Sequence, residues 1–290
     1  MDEREALGRV AELVPSAGDD AAVIEDLVLS TDMLHERADF PPGTTRYTAG
    51  WRAVGASLSD LAAMGAEALG AVAAYGSPTF ESGDFDAFIA GATDVCETVD
   101  TSYVGGDLDA HSEFTVATTA LGRTDAPVSR SGASPGEAVC VTGTLGRSAA
   151  AVRLFQAGET ERANDLFRFT PRIEAGRTLA RAATAMLDSS DGLARSLHQL
   201  GAASDCGFSI ESPLPLNGVL DDVADGPTDR RDLGLFFGED FELVCTMPAS
   251  KLAALRESLS VSLTRIGTVT AGEIRLDGEL LPDRGYTHGD

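Results

Sequence analysis

Aspartates flanked by glycine or small hydroxyl residues recur along this chain at Gly18-Asp19-Asp20, Ser30-Thr31-Asp32, Ser59-Asp60, Gly105-Gly106-Asp107 and Asp188-Ser189-Ser190-Asp191. Carboxylates are hard oxygen donors, and a magnesium ion takes one or two of them together with water and substrate phosphates. Glycine beside them frees the backbone to approach phosphate oxygens. The chemistry this pattern can support is that of a magnesium–nucleotide site. Each cluster also has an ordinary reading. Gly18-Asp19-Asp20 suits a turn, and Ser30-Thr31-Asp32 suits the cap of a helix. Asp60 resists such a reading. It lies within the largely apolar stretch Leu58-Ser59-Asp60-Leu61-Ala62, where an unpaired carboxylate costs several kcal/mol of desolvation that a bound cation removes. Gly105-Gly106-Asp107 is expected to follow a strand. Asp188-Ser189-Ser190-Asp191-Gly192 joins an expected strand to an expected helix, where carboxylates and free N–H groups meet.

Charge decides how many of the acidic residues carry chemistry. There are 46 acidic against 22 basic residues, a net charge of −24, and Lys251 is the single lysine. An excess of this size fits a solvated acidic coat of the kind a high-salt cytoplasm screens, so runs such as Asp221-Asp222 read as surface. It also argues against nucleic-acid or anionic-membrane partners, which need a basic footprint. No apolar run approaches the roughly 20 residues that span a bilayer, and Met1-Asp2-Glu3-Arg4-Glu5 lacks the character of a signal peptide. Cys96, Cys140, Cys206 and Cys245 lie far apart with no Cys-x-x-Cys pair. A reduced cytoplasmic protein is therefore expected.

Several common machineries are missing. There is no phosphate-binding loop ending in Gly-Lys-Ser/Thr, no kinase-type glycine loop, no His-Glu-x-x-His and no Gly-x-Ser-x-Gly. His111, His198 and His288 stand isolated, and Lys251 reads as part of a surface helix. A phosphoryl-transfer enzyme built this way must neutralise phosphate charge with several metal ions on aspartates, helped by arginine.

The elements that must position these residues follow from periodicity. In the first half helices are expected over residues 2–14, 47–64 and 85–99, with strands over 21–24, 27–29, 68–75, 102–104 and 114–121. A segment rich in Pro, Gly and Ser at 123–136 marks a boundary. At 290 residues two domains are expected, over 1–125 and 126–290. In the second half helices are expected over 148–156, 173–183 and 192–203, and strands over 138–142, 185–187, 208–210, 241–246, 263–266 and 273–276. Hairpins mixed with helices point to an α+β fold.

The ordered series Gly18-Asp-Asp-Ala-Ala22, Ser30-Thr-Asp32, Leu58-Ser-Asp-Leu-Ala-Ala-Met-Gly65, Gly105-Gly-Asp107, Arg130-Ser-Gly-Ala133, Val141-Thr-Gly-Thr144, Asp188-Ser-Ser-Asp-Gly192 and Gly238-Glu-Asp-Phe-Glu242 resembles the thiamine-monophosphate kinase family over essentially the whole chain. The wider superfamily is that of aminoimidazole ribonucleotide synthetase-like ATP-binding proteins. The resemblance implies a two-domain synthetase-like fold. The N-terminal ATP- and metal-binding domain contributes strands to a dimeric barrel, and the C-terminal domain is an α/β sandwich. It implies a homodimer and magnesium-dependent transfer of the ATP γ-phosphoryl group to thiamine monophosphate, giving thiamine diphosphate and ADP, without an acid–base residue of the chain. Asp20, Ser30, Thr31, Asp32, Asp60, Asp107, Asp188 and Asp191 fall on the family's metal positions. Gly106, Asp107, Arg130 and Ser190 fall on ATP contacts, and Asp39, Glu239 and Tyr286 on the substrate end. In many members a histidine occupies the place of Asp39, and His35 lies nearby but out of register. The rival readings are another ATP-dependent enzyme of the same superfamily and a non-catalytic Mg–ATP-binding regulator.

Overall fold

The computed structural model of the protein describes residues 3–14 and 17–286; His288 lies outside them. The described residues build two mixed sheets. The first has five strands: β1 (Ala22–Ile24), β2 (Leu27–His35), β3 (Glu67–Ser77), β4 (Tyr103–Ala110) and β5 (Thr115–Arg123), in the order β1-β2-β5-β3-β4. All neighbours are antiparallel except β3 and β4, which run parallel. The second has seven: β6 (Ala138–Thr142), β7 (Ala185–Asp188), β8 (Gly207–Ile210), β9 (Leu243–Met247), β10 (Leu263–Thr270), β11 (Arg275–Leu276) and β12 (Glu279–Leu280), in the order β12-β11-β8-β10-β6-β9-β7. Residues 124–137 link the two sheets.

The expected α+β organisation is present, and the long helices fall where the apolar period places them. The helix Arg46–Ala63 starts on Thr45, whose hydroxyl accepts the Thr48 amide, and it buries Ala53, Val54, Leu58, Leu61 and Ala62 against the first sheet and its neighbours. Each fully buried leucine contributes about 2 kcal/mol. The helix Ser82–Glu97 packs beside it, burying Phe88, Ala92 and Val95. Among the described residues no helix is long and apolar enough to cross a membrane.

Two strands run further than the sequence suggests. β2 continues from Leu29 to His35, so Ser30-Thr31-Asp32 is strand interior and caps no helix. β4 continues through Gly105-Gly106-Asp107 to Ala110. Glycine and aspartate have low strand propensity, but pairing with β3 overrides it. A Cβ on Gly106 would stand 1.8 Å from the Ala73 carbonyl oxygen, so the neighbouring strand itself requires a glycine there. Lys251 ends a 3-10 turn, Ala249–Lys251, that leads into the helix Leu252–Ser258. Helices at Thr160–Phe167 and Pro227–Phe236 and the two-residue strand β12 are additions to the expected elements.

Candidate active site

Alternation along β2 turns Ser30 and Asp32 toward the helix side of the sheet, where the last turns of Arg46–Ala63 present Ser57, Ser59 and Asp60. β7 ends on Asp188, and the turn before β1 carries Asp19 and Asp20. These elements converge so that ligand oxygens of Asp20, Asp60 and Asp188 all lie within 4.8 Å of one another. Hydroxyls fix the carboxylates. Ser30 Oγ donates to Asp60, Ser59 Oγ donates to Asp188 at 2.6 Å, and Ser57 Oγ donates to Asp32 at 2.6 Å. The Ser190 amide also donates to Asp188, at 3.1 Å.

Arg130, from the linking segment, supplies the counter-charge. Its Nε and Nη2 donate to the two oxygens of Asp20 at 3.1 and 3.0 Å, and its amide donates to Asp19 at 2.6 Å. Burial disfavours the guanidinium charge, but Asp20, Asp188 and Asp60 outweigh it, and the Arg130 pKa is raised. One arginine does not balance the cluster. Enclosure, with the charges of Asp32, Asp188 and Asp20, holds the Asp60 carboxyl well above the usual range. Burial and the charge of Asp20 push Asp188 up to about 7. Closely spaced, desolvated, oxygen-only donors of like charge fit a hard divalent cation.

A second feature is linked through backbone hydrogen bonds to the loop after Asp188. A cavity of about 350 Å³ is lined by Asp39, Phe40, Phe155, Phe237, Glu239 and Tyr286 among others, a size suited to a small organic ligand. All three residues expected at the substrate end thus line one space. Tyr286 Oη donates to Asp39 at 3.2 Å, and Asp39 also accepts the His35 amide at 2.6 Å. The Tyr286 amide donates to the carbonyl of Asp191 at 3.1 Å, so the cavity wall is tied to the loop that carries Asp188. A Cβ on Gly285 would stand 2.2 Å from that same carbonyl; only glycine allows the tail to lie so close.

The motif Gly238-Glu-Asp-Phe-Glu242 divides its acidic residues among three tasks. Asp240 accepts the amides of Gly146 and Ser148 at 2.5 and 3.0 Å, at the start of the helix Arg147–Gln156. Burial raises its pKa to about 6 against the pull of those amides. Glu242 pairs with Arg172 and accepts the Thr142 hydroxyl. Glu239 reaches the cavity.

Other expected site residues lie apart. Thr31 is exposed and donates to the Thr118 carbonyl at 2.8 Å. Asp191 holds Gln199 at 3.1 Å through its carboxylate, and Ser190 lies between it and the cluster. Gly106 and Asp107 occupy β4, the edge strand. Register across the sheet aligns Asp32 with Thr118, Thr118 with Ala73 and Ala73 with Gly106, so β4 stands roughly 14 Å from β2, three strand spacings away. Asp107 pairs with Ala74, one residue out of that row, and therefore belongs to the opposite face of the sheet. Within one chain it does not join the cluster.

Sequence reasoning missed Ser57 and Arg52. Arg52 is buried at 2% exposure and donates to Glu239 at 3.1 Å. Its signal was an arginine inside the apolar run Gly50-Trp51-Arg52-Ala53-Val54.

Residues 18–124 match the family described as AIR synthase related protein, N-terminal domain, and residues 134–278 match the corresponding C-terminal domain. The chain is 59% identical to the thiamine-monophosphate kinase of Halobacterium salinarum over 291 residues, covering 99% of this chain and 100% of the relative. It is 41% identical to that of Methanospirillum hungatei over 302 residues, covering 99% of each. The solved structure of AaThiL complexed with AMPPCP and TMP superimposes with a TM-score of 0.89 at 28% identity, covering 99% of this chain and 97% of that chain. With both halves matched and the identity running end to end, the chain belongs to the thiamine-monophosphate kinase family of AIR synthase-related proteins.

Proposed function

We propose that this chain binds ATP and thiamine monophosphate side by side and moves the γ-phosphoryl group directly from one to the other. An oxygen of the acceptor phosphate attacks the γ-phosphorus, the bond to the β-phosphate oxygen breaks in line, and ADP and thiamine diphosphate leave. The observation that carries this reading is the junction of carboxylate cluster and cavity. One short loop supplies Asp188 to the cluster and, through the Asp191 carbonyl, anchors Tyr286 at the cavity wall. The relative named as bound to AMPPCP and TMP supports the same pair of ligands.

Asp20, Asp60 and Asp188 would hold magnesium, with Ser30 and Asp32 as neighbouring oxygen donors; bound there, the metal would neutralise phosphate charge that otherwise keeps two polyanions apart. Arg130 is placed to share that task as a fixed cation beside Asp20. The acceptor is already an anion at neutral pH, so no residue need remove a proton. The chain's own contribution is positioning. Asp39 and Tyr286 brace one wall of the acceptor cavity, and Glu239 offers its carboxylate on another. In the purified protein, ATP, magnesium and thiamine monophosphate are expected to give thiamine diphosphate and ADP. Binding of ATP with no product under any metal or salt condition would favour a non-catalytic nucleotide-binding regulator instead.

The working unit in this reading is a homodimer. On the face of the five-stranded sheet turned away from its helices, Ile24, Leu29, Met33, Val72 and Leu121 are exposed side by side. An apolar face of this extent on a soluble chain marks an association surface, and a second copy would cover it.

Salt adaptation follows from the charge. At −24 the folded chain repels itself, and the Debye length falls from about 10 Å at 0.1 M to about 3 Å at 1 M salt. The melting temperature is expected to rise by roughly 5–10 °C between 0.1 and 2 M potassium chloride, equivalent to a few kcal/mol. A flat or falling melting curve over that range, measured calorimetrically, would remove this part of the reading.

A further inference from the structure

Burying an arginine is costly, and the chain does it at Arg52, in the helix that also carries Asp60. The guanidinium lies 3.6 Å from the centre of the Phe167 ring, with Phe169 and Phe241 each 5.5 Å away. Nη1 donates to the Phe167 carbonyl at 2.6 Å and to Ser148 Oγ at 3.3 Å. Nη2 donates to Glu239 Oε2 at 3.1 Å. The planar head is thus held by an aromatic face and by acceptors on two sides, which leaves it one orientation.

Glu239 is the residue so addressed, and its backbone is held as firmly as its side chain. Its amide donates to the Ser190 carbonyl at 2.6 Å, in the loop that bears Asp188. Its carbonyl accepts Ser148 Oγ at 2.6 Å. Its φ is +56°, in the left-handed region that a side chain other than glycine seldom adopts. A backbone in that conformation turns the carboxylate out toward the cavity, where 16% of the side chain is exposed while its Arg52 partner stays buried.

We propose that Arg52 is a positioning residue for the acceptor. Through the Nη2–Oε2 contact it fixes the Glu239 carboxylate on the cavity wall, at the orientation that receives the cationic ring of the acceptor. This rests on the kinase reading above and goes beyond it, because it assigns a role to a residue that touches no substrate. Arg52 also stands two helical turns from Asp60. The same rigid element therefore sets both the carboxylate cluster and the acceptor's partner.

The test is a double-mutant cycle on thiamine monophosphate affinity, read by titration calorimetry and by KM. A lysine at position 52 cannot hold the Phe167 carbonyl and Glu239 together, because it lacks the planar fork. Arg52→Lys is expected to weaken thiamine monophosphate binding about tenfold or more, with ATP affinity and kcat at saturating acceptor changed less than about threefold. In a Glu239→Gln background, itself weak for thiamine monophosphate, adding Arg52→Lys is expected to cost less than about twofold more. Equal losses in both backgrounds, or equal losses for ATP and acceptor, would overturn the proposal. If Arg52→Lys does not fold, Arg52→Met added to Glu239→Gln leaves no unpaired charge at the contact and is expected to cost less than about twofold in thiamine monophosphate affinity; a larger loss would overturn the proposal. Wild-type protein that binds thiamine monophosphate without turning it over would sink the kinase reading while the cycle still reports on Arg52. Wild-type protein that does not bind it would sink both.

Discussion

Asp60→Asn is expected to lose at least about a thousandfold in turnover and, in metal-free buffer at pH 8, to melt higher than the wild type. Both effects have one cause. Asp60 shares a space with Asp20 and Asp188, and enclosure with like charge raises its pKa. Without a cation that repulsion is stored in the fold; under the proposed magnesium binding it would become affinity. Asparagine keeps an oxygen for the Ser30 hydroxyl and discards the charge. Relief of about 1–2 kcal/mol, ordinary for a single buried site, corresponds to roughly 2–4 °C in a chain of this size. The pH dependence has a definite sign. A carboxyl such as Asp188, at about 7 in the folded chain against 3.8 ordinarily, stabilises the fold by taking up a proton. That contribution is complete below about pH 4 and is lost as pH rises through about 7. The advantage of Asp60→Asn in chelator should therefore be small at pH 4–5 and grow as pH rises. Near-normal turnover, or identical melting at pH 8 without metal, would falsify this account of the cluster.

If two copies meet on this face as proposed, the wild type is expected to sediment as a dimer and Met33→Asp as a folded monomer. Met33 is 57% exposed on β2, on the face that also presents Leu29, Val72 and Leu121, so the substitution touches no core contact of its own chain. In a two-fold interface the new charge enters twice. Each unpaired carboxylate removed from water costs several kcal/mol, and about 3 kcal/mol already weakens association more than a hundredfold. Sedimentation velocity across a micromolar range reads the result directly. A variant that sediments as the wild type does, or a wild type that is monomeric throughout that range, would show that this face is not where copies meet.

Most of the candidate site was visible in the sequence as separate pieces. Asp60 stood out because a carboxylate in an apolar helix demands an explanation, and Asp188 because it ends a strand just before a helix. Their meeting with Asp20 was not visible from spacing: these residues are separated by whole elements, and only the packing of two sheets brings their oxygens together. β2 and β4 were read too short for a related reason. Ser30-Thr31-Asp32 and Gly105-Gly106-Asp107 carry turn-like residues whose strand conformation comes from partners far away in the chain. Arg52 escaped although the argument used for Asp60 applies to it. The difference is length. An arginine on an apolar face ordinarily extends its head to water along a flexible stem, so its place in a helix does not reveal whether the head is buried.

The helix Arg46–Ala63 carries Arg52, Ser57, Ser59 and Asp60 on one continuous rod. At 1.5 Å and 100° per residue, one inserted residue between Arg52 and Ser57 would move the two ends apart by little but rotate one set of side chains away from the other. Substitution can tune this element, but a change in its length cannot be absorbed. Natural or engineered variants should accept insertions at the exposed start of the link, residues 125–127, far more readily than anywhere between positions 52 and 60.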